Sequence, residues 1–485
     1  DNRQDDSEVY QGQLNARYTL PVKIPTFVQV GGKVTETSRV TSNTNTYDVW
    51  RYIGPGGGAT GSFAGYPSPF VLYEPGNQIG ASFTSISGGG APPFPNRDAL
   101  GALFRTHPEY FVRGESEGII NVSQYQQGVY TSNPSYDLTE TIPAAYVMAN
   151  SRIAKLQLQG GVRYEETRLE SKELNPRSSA EIAAAGFPVD ASGNPTTWAG
   201  VDYKYASRER ITREGKYHNY FPSFTAKYPL LPNLLADIGY GKAIKRPNFN
   251  QIAGTRQIND TAEQVVTPNP NLRPERSEKI VAALSYFFGR NGSNNLQIVG
   301  GYNEITDQQI GTTLSAEEYG NTDPALDSYD FISFSNSSSP VRYKTLEVSY
   351  LHNLTFLPGL LQGTTLNLSY TRTQTSRRVY GAVPHSIKGG VSYRYKRFNI
   401  AFNGVWRDDS PWFQGTQNRY LVSNIKYDLS GSLRLTDHVS LYFSGRNIFE
   451  VPHRIYEQSA TGGPDVIFRL ENYGTNWTFG VRGTF

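Results

Sequence analysis

Apolar and polar residues alternate with a two-residue period along most of the chain, the signature of strands with one greasy and one wet face. In Lys155 to Thr167, Leu156, Leu158, Val162 and Tyr164 alternate with Gln157, Gln159, Arg163 and Glu165. Such runs come in pairs. Val9 to Leu20 turns through Pro21 to Pro25 into Phe27 to Thr37, and Leu138 to Asn150 turns through Ser151 to Ala154 into Lys155 to Thr167. His218 to Tyr228 pairs with Leu234 to Ile244 and Lys279 to Phe288 with Leu296 to Ile305. Arg342 to Leu354 pairs with Thr365 to Thr375, His385 to Tyr395 with Phe398 to Arg407, and Leu421 to Leu435 with Val439 to Phe449. A last strand, Asn476 to Phe485, stands alone and stops on an aromatic, which gives about 15 strands in all.

The connections alternate in length. Within pairs they run to about 2 to 10 residues, whereas between pairs they reach on the order of 90 residues for Asn43 to Asp137 and roughly 30 to 40 for Lys172 to Glu214, Arg246 to Ser277 and Gly311 to Pro340. Long loops on one rim and short turns on the other predict an all-β, antiparallel up-and-down barrel spanning an outer membrane. A soluble sandwich or propeller gives no reason for that parity. If the last strand ends on the periplasmic side, the short turns are periplasmic and the long loops external. Bacterial single-chain barrels have even strand numbers, so an odd count predicts that this chain is the C-terminal part of a longer barrel, cut before Asp1.

Composition agrees. Over 485 residues the chain is 13% aromatic and 18% charged, with 47 Gly, 29 Pro, no Cys and a mean hydropathy of -0.50. No segment approaches the ~18 uninterrupted apolar residues of a spanning helix, whereas a barrel needs only one apolar face per strand. The net charge of +3 suggests no nucleic-acid partner. Tyr393, Tyr395, Trp406, Trp412, Tyr217 and Tyr220 sit where strands meet loops, as expected of interfacial aromatic girdles.

Catalytic and metal motifs do not hold up. Gly114 to Gly118 spells G-E-S-E-G but lies in the longest loop, without the strand and helix a nucleophile elbow needs. Gly56 to Gly61 contains G-x-G-x-x-G, but Ser62 stands where a phosphate loop needs lysine. The six histidines, His107, His218, His352, His385, His438 and His453, show no ligand spacing, and Asp408-Asp409 reads as rim charge. The chain is not expected to be an enzyme or to hold a cofactor. Asn424, Lys426, Asp428 and Arg434 are expected to face the lumen, alternating with Ile425, Tyr427, Leu429 and Leu433.

Two internal stretches and the terminal strand resemble TonB-dependent outer-membrane receptors. The first is G-Y-G-K-A-I-K-R-P-N-F, Gly239 to Phe249, carrying Arg246 and Pro247. The second is P-N-P-N-L-R-P-E-R-S, Pro268 to Ser277, carrying Asn269, Pro270, Asn271, Leu272, Pro274 and Glu275. G-G-V-R-Y-E-E-T (Gly160 to Thr167) and S-G-R-N-I-F-E-V-P (Ser444 to Pro452) add to it. The prolines stiffen a loop and end ladder pairing, and Arg273 and Glu275 are placed to fix it by an ion pair, so these motifs read as structural.

The resemblance implies a 22-stranded barrel around an N-terminal plug, coupled through TonB to an inner-membrane energy source, in the outer membrane of a Gram-negative bacterium. Neither a plug nor a TonB box is in this sequence. By analogy the transported ligand is a ferric siderophore, with cobalamin, haem or an oligosaccharide as alternatives. A passive porin or adhesin barrel is a different reading. Partners implied are membrane lipid, the plug, TonB and the barrel assembly machinery, which would read the terminal Trp477, Phe479, Val481 and Phe485. Ligand contacts are expected in external loops, especially within Tyr47 to Tyr136, where Gly88 to Gly90 marks either slack or a lid.

Overall fold

The computed structural model describes residues 3–43, 50–55, 73–74, 94–95, 97–113, 122–126, 129–130, 136–253, 256–259, 262–321, 324–412, 418–459 and 462–483. Fifteen strands form one sheet in which spatial order follows chain order. They are β1 (Arg3–Thr19), β2 (Thr26–Asn43), β3 (Tyr136–Ile153), β4 (Leu156–Glu173), β5 (Ile211–Leu231), β6 (Leu234–Lys245), β7 (Glu275–Phe288) and β8 (Asn294–Thr306). Then follow β9 (Val341–Asn353), β10 (Thr364–Thr375), β11 (His385–Tyr395), β12 (Phe398–Arg407), β13 (Asn424–Arg434), β14 (Val439–Arg446) and β15 (Asn476–Gly483). Each neighbouring pair is antiparallel, so the up-and-down architecture is as expected.

The connections alternate between the two ends along the whole sheet, and those at the second end are the longer ones except for 376–384, which is no longer than the turn at 354–363. Residues 20–25, 154–155, 232–233, 289–293, 354–363, 396–397 and 435–438 turn at one end, and residues 44–135, 174–210, 246–274, 307–340, 376–384, 408–423 and 447–475 connect at the other. Ala154 at φ 53° and Lys396 at φ 48° take left-handed backbone in two of the three two-residue turns.

Register makes the two faces continuous. Leu284 lies opposite Ile298, Ile298 opposite Val348, Val348 opposite Tyr370, Tyr370 opposite Ile387, Ile387 opposite Trp406 and Trp406 opposite Ile425. Lower down, Val391 meets Phe402 and Phe402 meets Leu429, while Leu433 meets Leu441 and Leu441 meets Val481. Because the side-chain period is two, this band shares one face, and many of its members are exposed, Ile298 at 43% and Leu368 at 48% among them. An apolar band exposed across fifteen strands is what a lipid-facing wall requires. The opposite face carries Arg163, Glu165, Ser277, Asn303, Lys388, Asn403 and Asn424, and Ser277 Oγ donates to Asn303 Oδ1 at 2.6 Å.

Most of the expected girdle faces the apolar side. Tyr393 and Tyr395 share the outward parity of Val391 near the short turns, and Trp406 and Tyr220 sit toward the loops. Tyr217 differs. Its register partner is Thr167, on the polar face, because odd positions of β5 follow Gly161 rather than Val162. Trp412 lies beyond β12, edge-on to Tyr380 at 5.7 Å. Two strand ends also differ from the expected bounds. β13 begins at Asn424, because Arg419–Leu421 pairs instead with His453–Glu457. β14 stops at Arg446, because Asn447 turns out at φ 50° and its side chain holds the turn through Val451 N–H and Val451 O.

β15 places Trp477, Phe479 and Val481 on the apolar face, where Phe479 meets Phe443. Phe485, the motifs at Gly56 to Gly61 and Gly114 to Gly118, the Gly88 to Gly90 run and most of Tyr47 to Tyr136 lie outside the described residues.

The two faces predict opposite tolerance to charge. Ile298→Arg should destabilise the folded protein in lipid vesicles by about 2–4 kcal/mol. Thr345→Lys, one strand away on the polar face, should cost under about 1 kcal/mol; urea titration of both variants checks the contrast.

Candidate functional site

The loop-bearing end is built from segments that fold onto one another. Gln257–Asn259, Gln264–Val266, Asp330–Asn336 and Gln309–Leu314 form a four-stranded sheet. It fuses the loop after β6 with the loop after β8 through a parallel pairing of Gln264–Val266 with Asp330–Asn336. Val265, Ala316, Leu326 and Phe331 form its core. A second sheet, Ser410–Pro411, Arg419–Leu421, His453–Glu457 and Val466–Glu471, joins the loops after β12 and β14. Pooling loops in this way buries apolar surface that neither could cover alone.

The N-P-N-L-R-P-E run sits at the base of the first unit. Asn269 folds it, with its N–H donating to Gln251 O at 2.7 Å, its side-chain amide to Phe334 O at 2.8 Å, and its Oδ1 accepting from Asn271 N–H at 3.0 Å. Leu272, only 2% exposed, packs with Leu138 and Leu169 on the polar face of β3 and β4, and with Ile252 and Ala253. The loop therefore turns inward over the wall rather than standing away from it. Pro247 and Pro274 are buried at its two ends. The Pro270 carbonyl would lie 2.9 Å from a Cβ at Gly215, so that contact favours glycine there. Arg273 and Glu275 do not pair with each other. Arg273 Nη2 reaches Asp307 at 2.9 Å, while Glu275 Oε1 accepts from Lys245 Nζ at 3.4 Å and Gln309 N–H at 3.2 Å.

Arg246 has a role that its motif does not announce. The β5–β6 ladder ends at Ser223 opposite Gly241, just before Pro222, which has no N–H to donate. Beyond that point β5 stays on β4 up to Ile211 opposite Glu173, and β6 stays on β7 up to Lys245 opposite Glu275. A cleft of about 430 Å³ opens where the ladder stops, lined by His218, Tyr220, Lys242, Arg276 and Glu278 among others. Behind it, Arg246 Nη2 donates to Glu165 Oε2 on β4 at 2.5 Å, and its Nε lies 3.4 Å from Thr167 Oγ1 and 4.0 Å from Glu140 on β3. Arg163 Nε shares Glu165 at 2.7 Å. One guanidinium thus spans the gap that the backbone leaves open.

The largest loop docks on its neighbour through aromatics. Helices α1 (Ser179–Ala184) and α2 (Trp198–Ala206) form in the connection after β4, with Thr197 capping α2 by accepting Gly200 N–H at 3.2 Å. Tyr125 stacks on Trp198 at 4.3 Å and Tyr130 on Tyr205 at 4.9 Å. Both Tyr125 and Tyr130 hydroxyls donate to Asp202 Oδ1, at 2.8 and 2.9 Å. Burial and then the Asp202 carboxylate push both phenols well above their ordinary range.

Polar side chains missed as a group line the far side of the mouth. Lys388, Arg407 and Lys426 share the polar face of β11, β12 and β13, and Lys426 Nζ meets His453 Nε2. No set of three His, Cys, Asp or Glu side chains suited to a metal occurs among the described residues.

Two outcomes follow. Arg246→Gln should raise amide exchange in residues 211–222 and 246–274, equivalent to about 1–3 kcal/mol of local opening, with β9 to β12 unchanged; the swap of Arg246→Glu with Glu165→Arg should restore part of the protection. The phenols carry raised pKa values in the folded state, so their contribution is complete below the ordinary tyrosine value of 10.0 and is lost as pH rises beyond it. Tyr125 and Tyr130 should accordingly become accessible to tyrosine-modifying reagents only at strongly alkaline pH, and Asp202→Ala should expose them at neutral pH.

The profile described as TonB dependent receptor-like, beta-barrel, matches residues 1–448. No curated protein sequence matches the chain. Among solved structures, the ferric-catecholate import receptor Fiu of Escherichia coli K12 is similar over 99% of this chain and 55% of its own, at 12% identity and a TM-score of 0.56. The ferric enterobactin receptor PfeA of Pseudomonas aeruginosa matches over 99% and 55%, at 12% identity and 0.54. The hemophore receptor HasR of Serratia marcescens matches over 100% and 59%, at 12% identity and 0.52. The chain thus spans a little over half the length of these proteins, which it resembles in fold. With the profile covering all but the last strand, the chain belongs to the TonB-dependent receptors of the Gram-negative outer membrane, as part of their β-barrel.

Proposed function

We propose that the chain forms the wall and external loops of a receptor that captures a scarce, bulky nutrient outside the cell, a ferric siderophore above all, and imports it with TonB-coupled energy. The observation that carries the reading is the inward fold of the loops. Leu272 anchors one loop unit on the polar face of β3 and β4, and the aromatic contacts of Tyr125 and Tyr130 anchor the largest loop on the next. A mouth roofed by docked loops suits a binder of large solutes better than an open pore. Fiu, PfeA and HasR, named for ferric catecholate, ferric enterobactin and hemophore-borne haem, support an iron-bearing cargo.

On this reading the barrel is completed by about seven further strands, to the 22 of outer-membrane transporters with a plugged lumen. The polar face then meets the plug and the passing cargo, the apolar band meets lipid, and TonB engages the plug. The barrel assembly machinery reads β15. None of these residues performs chemistry on the cargo, and no resident cofactor is required.

Cells producing the full-length receptor should take up radiolabelled ferric siderophore saturably, and a protonophore or loss of TonB should reduce uptake at least about tenfold, since the energised step is the one removed. Entry that is linear in concentration and indifferent to the protonophore would establish a passive pore instead.

A further inference from the structure

The break between β5 and β6 leaves polar backbone uncovered in the wall. Among the described residues no backbone hydrogen bond joins the two strands above Ser223 and Gly241. The edge of residues 211–222 away from β4, and that of residues 242–245 away from β7, therefore carry N–H and C=O groups without a ladder partner. Such groups are costly to leave unmet and find no partner in hydrocarbon.

The cleft at the break faces outward. His218 and Tyr220 share the parity of Tyr164, while Lys242, Glu278 and Glu304 form one row above Tyr240, Ile280 and Tyr302. Phe224, Ile238 and Ile280, exposed members of the apolar band, lie beneath it. On the lumen side it is backed by side chains. Arg246 reaches across to Glu165 and Thr167, and the loop carrying Leu272 packs on Leu138 and Leu169, with the Pro270 carbonyl close to Gly215. The space of about 430 Å³ thus opens toward the membrane side.

Its lining mixes donors with acceptors. Lys242 Nζ lies 3.3 Å from Glu278 Oε2, and Arg276 Nε lies 3.8 Å from Asp307 Oδ2, so both cations keep N–H groups to spare. Glu278 and Glu304 stand directly opposite each other. Glu278 accepts the Tyr240 hydroxyl at 2.7 Å, and Glu304 accepts Arg342 Nε at 2.6 Å and the Tyr302 hydroxyl at 3.1 Å. A carboxylate offers about four lone-pair sites, so each can accept more. A bare phosphate would meet repulsion from this pair, and an acyl chain alone would leave the polar groups unmet.

We infer that the cleft seats the headgroup of a phosphorylated glycolipid of the outer leaflet. A phosphate takes Lys242 and Arg276, and sugar hydroxyls donate to Glu278 and Glu304 and bond the open strand edges. A sugar ring lies against Tyr220, and the acyl chains continue over Phe224, Ile238 and Ile280. The inference uses the family's place in the Gram-negative outer membrane and does not depend on the cargo. Lipid bound in this way stands in for the missing part of the ladder.

The test is amide exchange, followed by mass spectrometry, on the full-length receptor in vesicles of phosphatidylethanolamine and phosphatidylglycerol. Adding bisphosphorylated lipid A should slow exchange in residues 211–222 and 242–245 at least about fivefold, with β9 to β12 unchanged. Dephosphorylated lipid A should have little effect. Lys242→Gln combined with Arg276→Gln should abolish the slowing while keeping heat-modifiable mobility. Lys344→Gln combined with Arg372→Gln removes two cations from the same outward face on β9 and β10, and should preserve it. No slowing, equal slowing by both forms of lipid A, or slowing spread evenly over the sheet would overturn the site. So would an effect that persists in a folded Lys242→Gln, Arg276→Gln protein, or one lost equally in the two double variants.

Discussion

A backbone that crosses lipid must satisfy its own hydrogen bonds, because the hydrocarbon offers no partner for an N–H or a carbonyl. Everything in this chain follows from that requirement. Fifteen strands pair in chain order with nearly unbroken register, so the polar backbone is consumed within the sheet and side chains are left to decide which face meets which environment. The two-residue period does the rest. Rows such as Ile298, Val348 and Tyr370 fall on one face, while Asn303, Lys388 and Asn424 fall on the other. A compact core is unnecessary, and the buried apolar clusters lie instead at the loop-bearing end, where water returns.

That division explains why the loops are where the sequence-distant contacts accumulate. Outside the lipid, backbone groups can be satisfied by water, so segments are free to pool into small sheets and to pack by side chains. The sheet joining loops 246–274 and 307–340 and the one joining 408–423 and 447–475 both arise between non-adjacent pieces of chain. Each loop becomes rigid by leaning on a neighbour, which suits a surface that must present fixed side chains to a bulky solute.

Much of the wall was legible in the sequence, because alternation and turn spacing are local signals that survive without tertiary information. The strand pairs, the parity of connections and the outward placement of Trp477, Phe479 and Val481 could all be read that way. What was not legible depended on pairing between distant segments. Nothing around Tyr217 announces that its parity places it inward, and Leu421 and Phe449 look like strand residues until a rim sheet competes for the chain. Arg273 and Glu275 stand two apart and invite pairing, yet Asp307 and Lys245 arrive from elsewhere. Lys388, Arg407 and Lys426 are likewise unremarkable one by one, and only the register through Val405 brings them together.

The break between β5 and β6 gives the wall an unequal strength. Below Gly241 the two strands are stitched by backbone hydrogen bonds, which neither salt nor acid removes. Above it, the outer half of β5 is carried by β4, and the join to β6 passes through the side chain of Arg246 to Glu165 and Thr167. A ladder distributes load over many bonds, whereas a single ion pair concentrates it and answers to ionic strength and pH. Among the described residues the sheet therefore has a seam here whose cohesion is set by the surrounding medium, and it runs from the rim downward to Ser223.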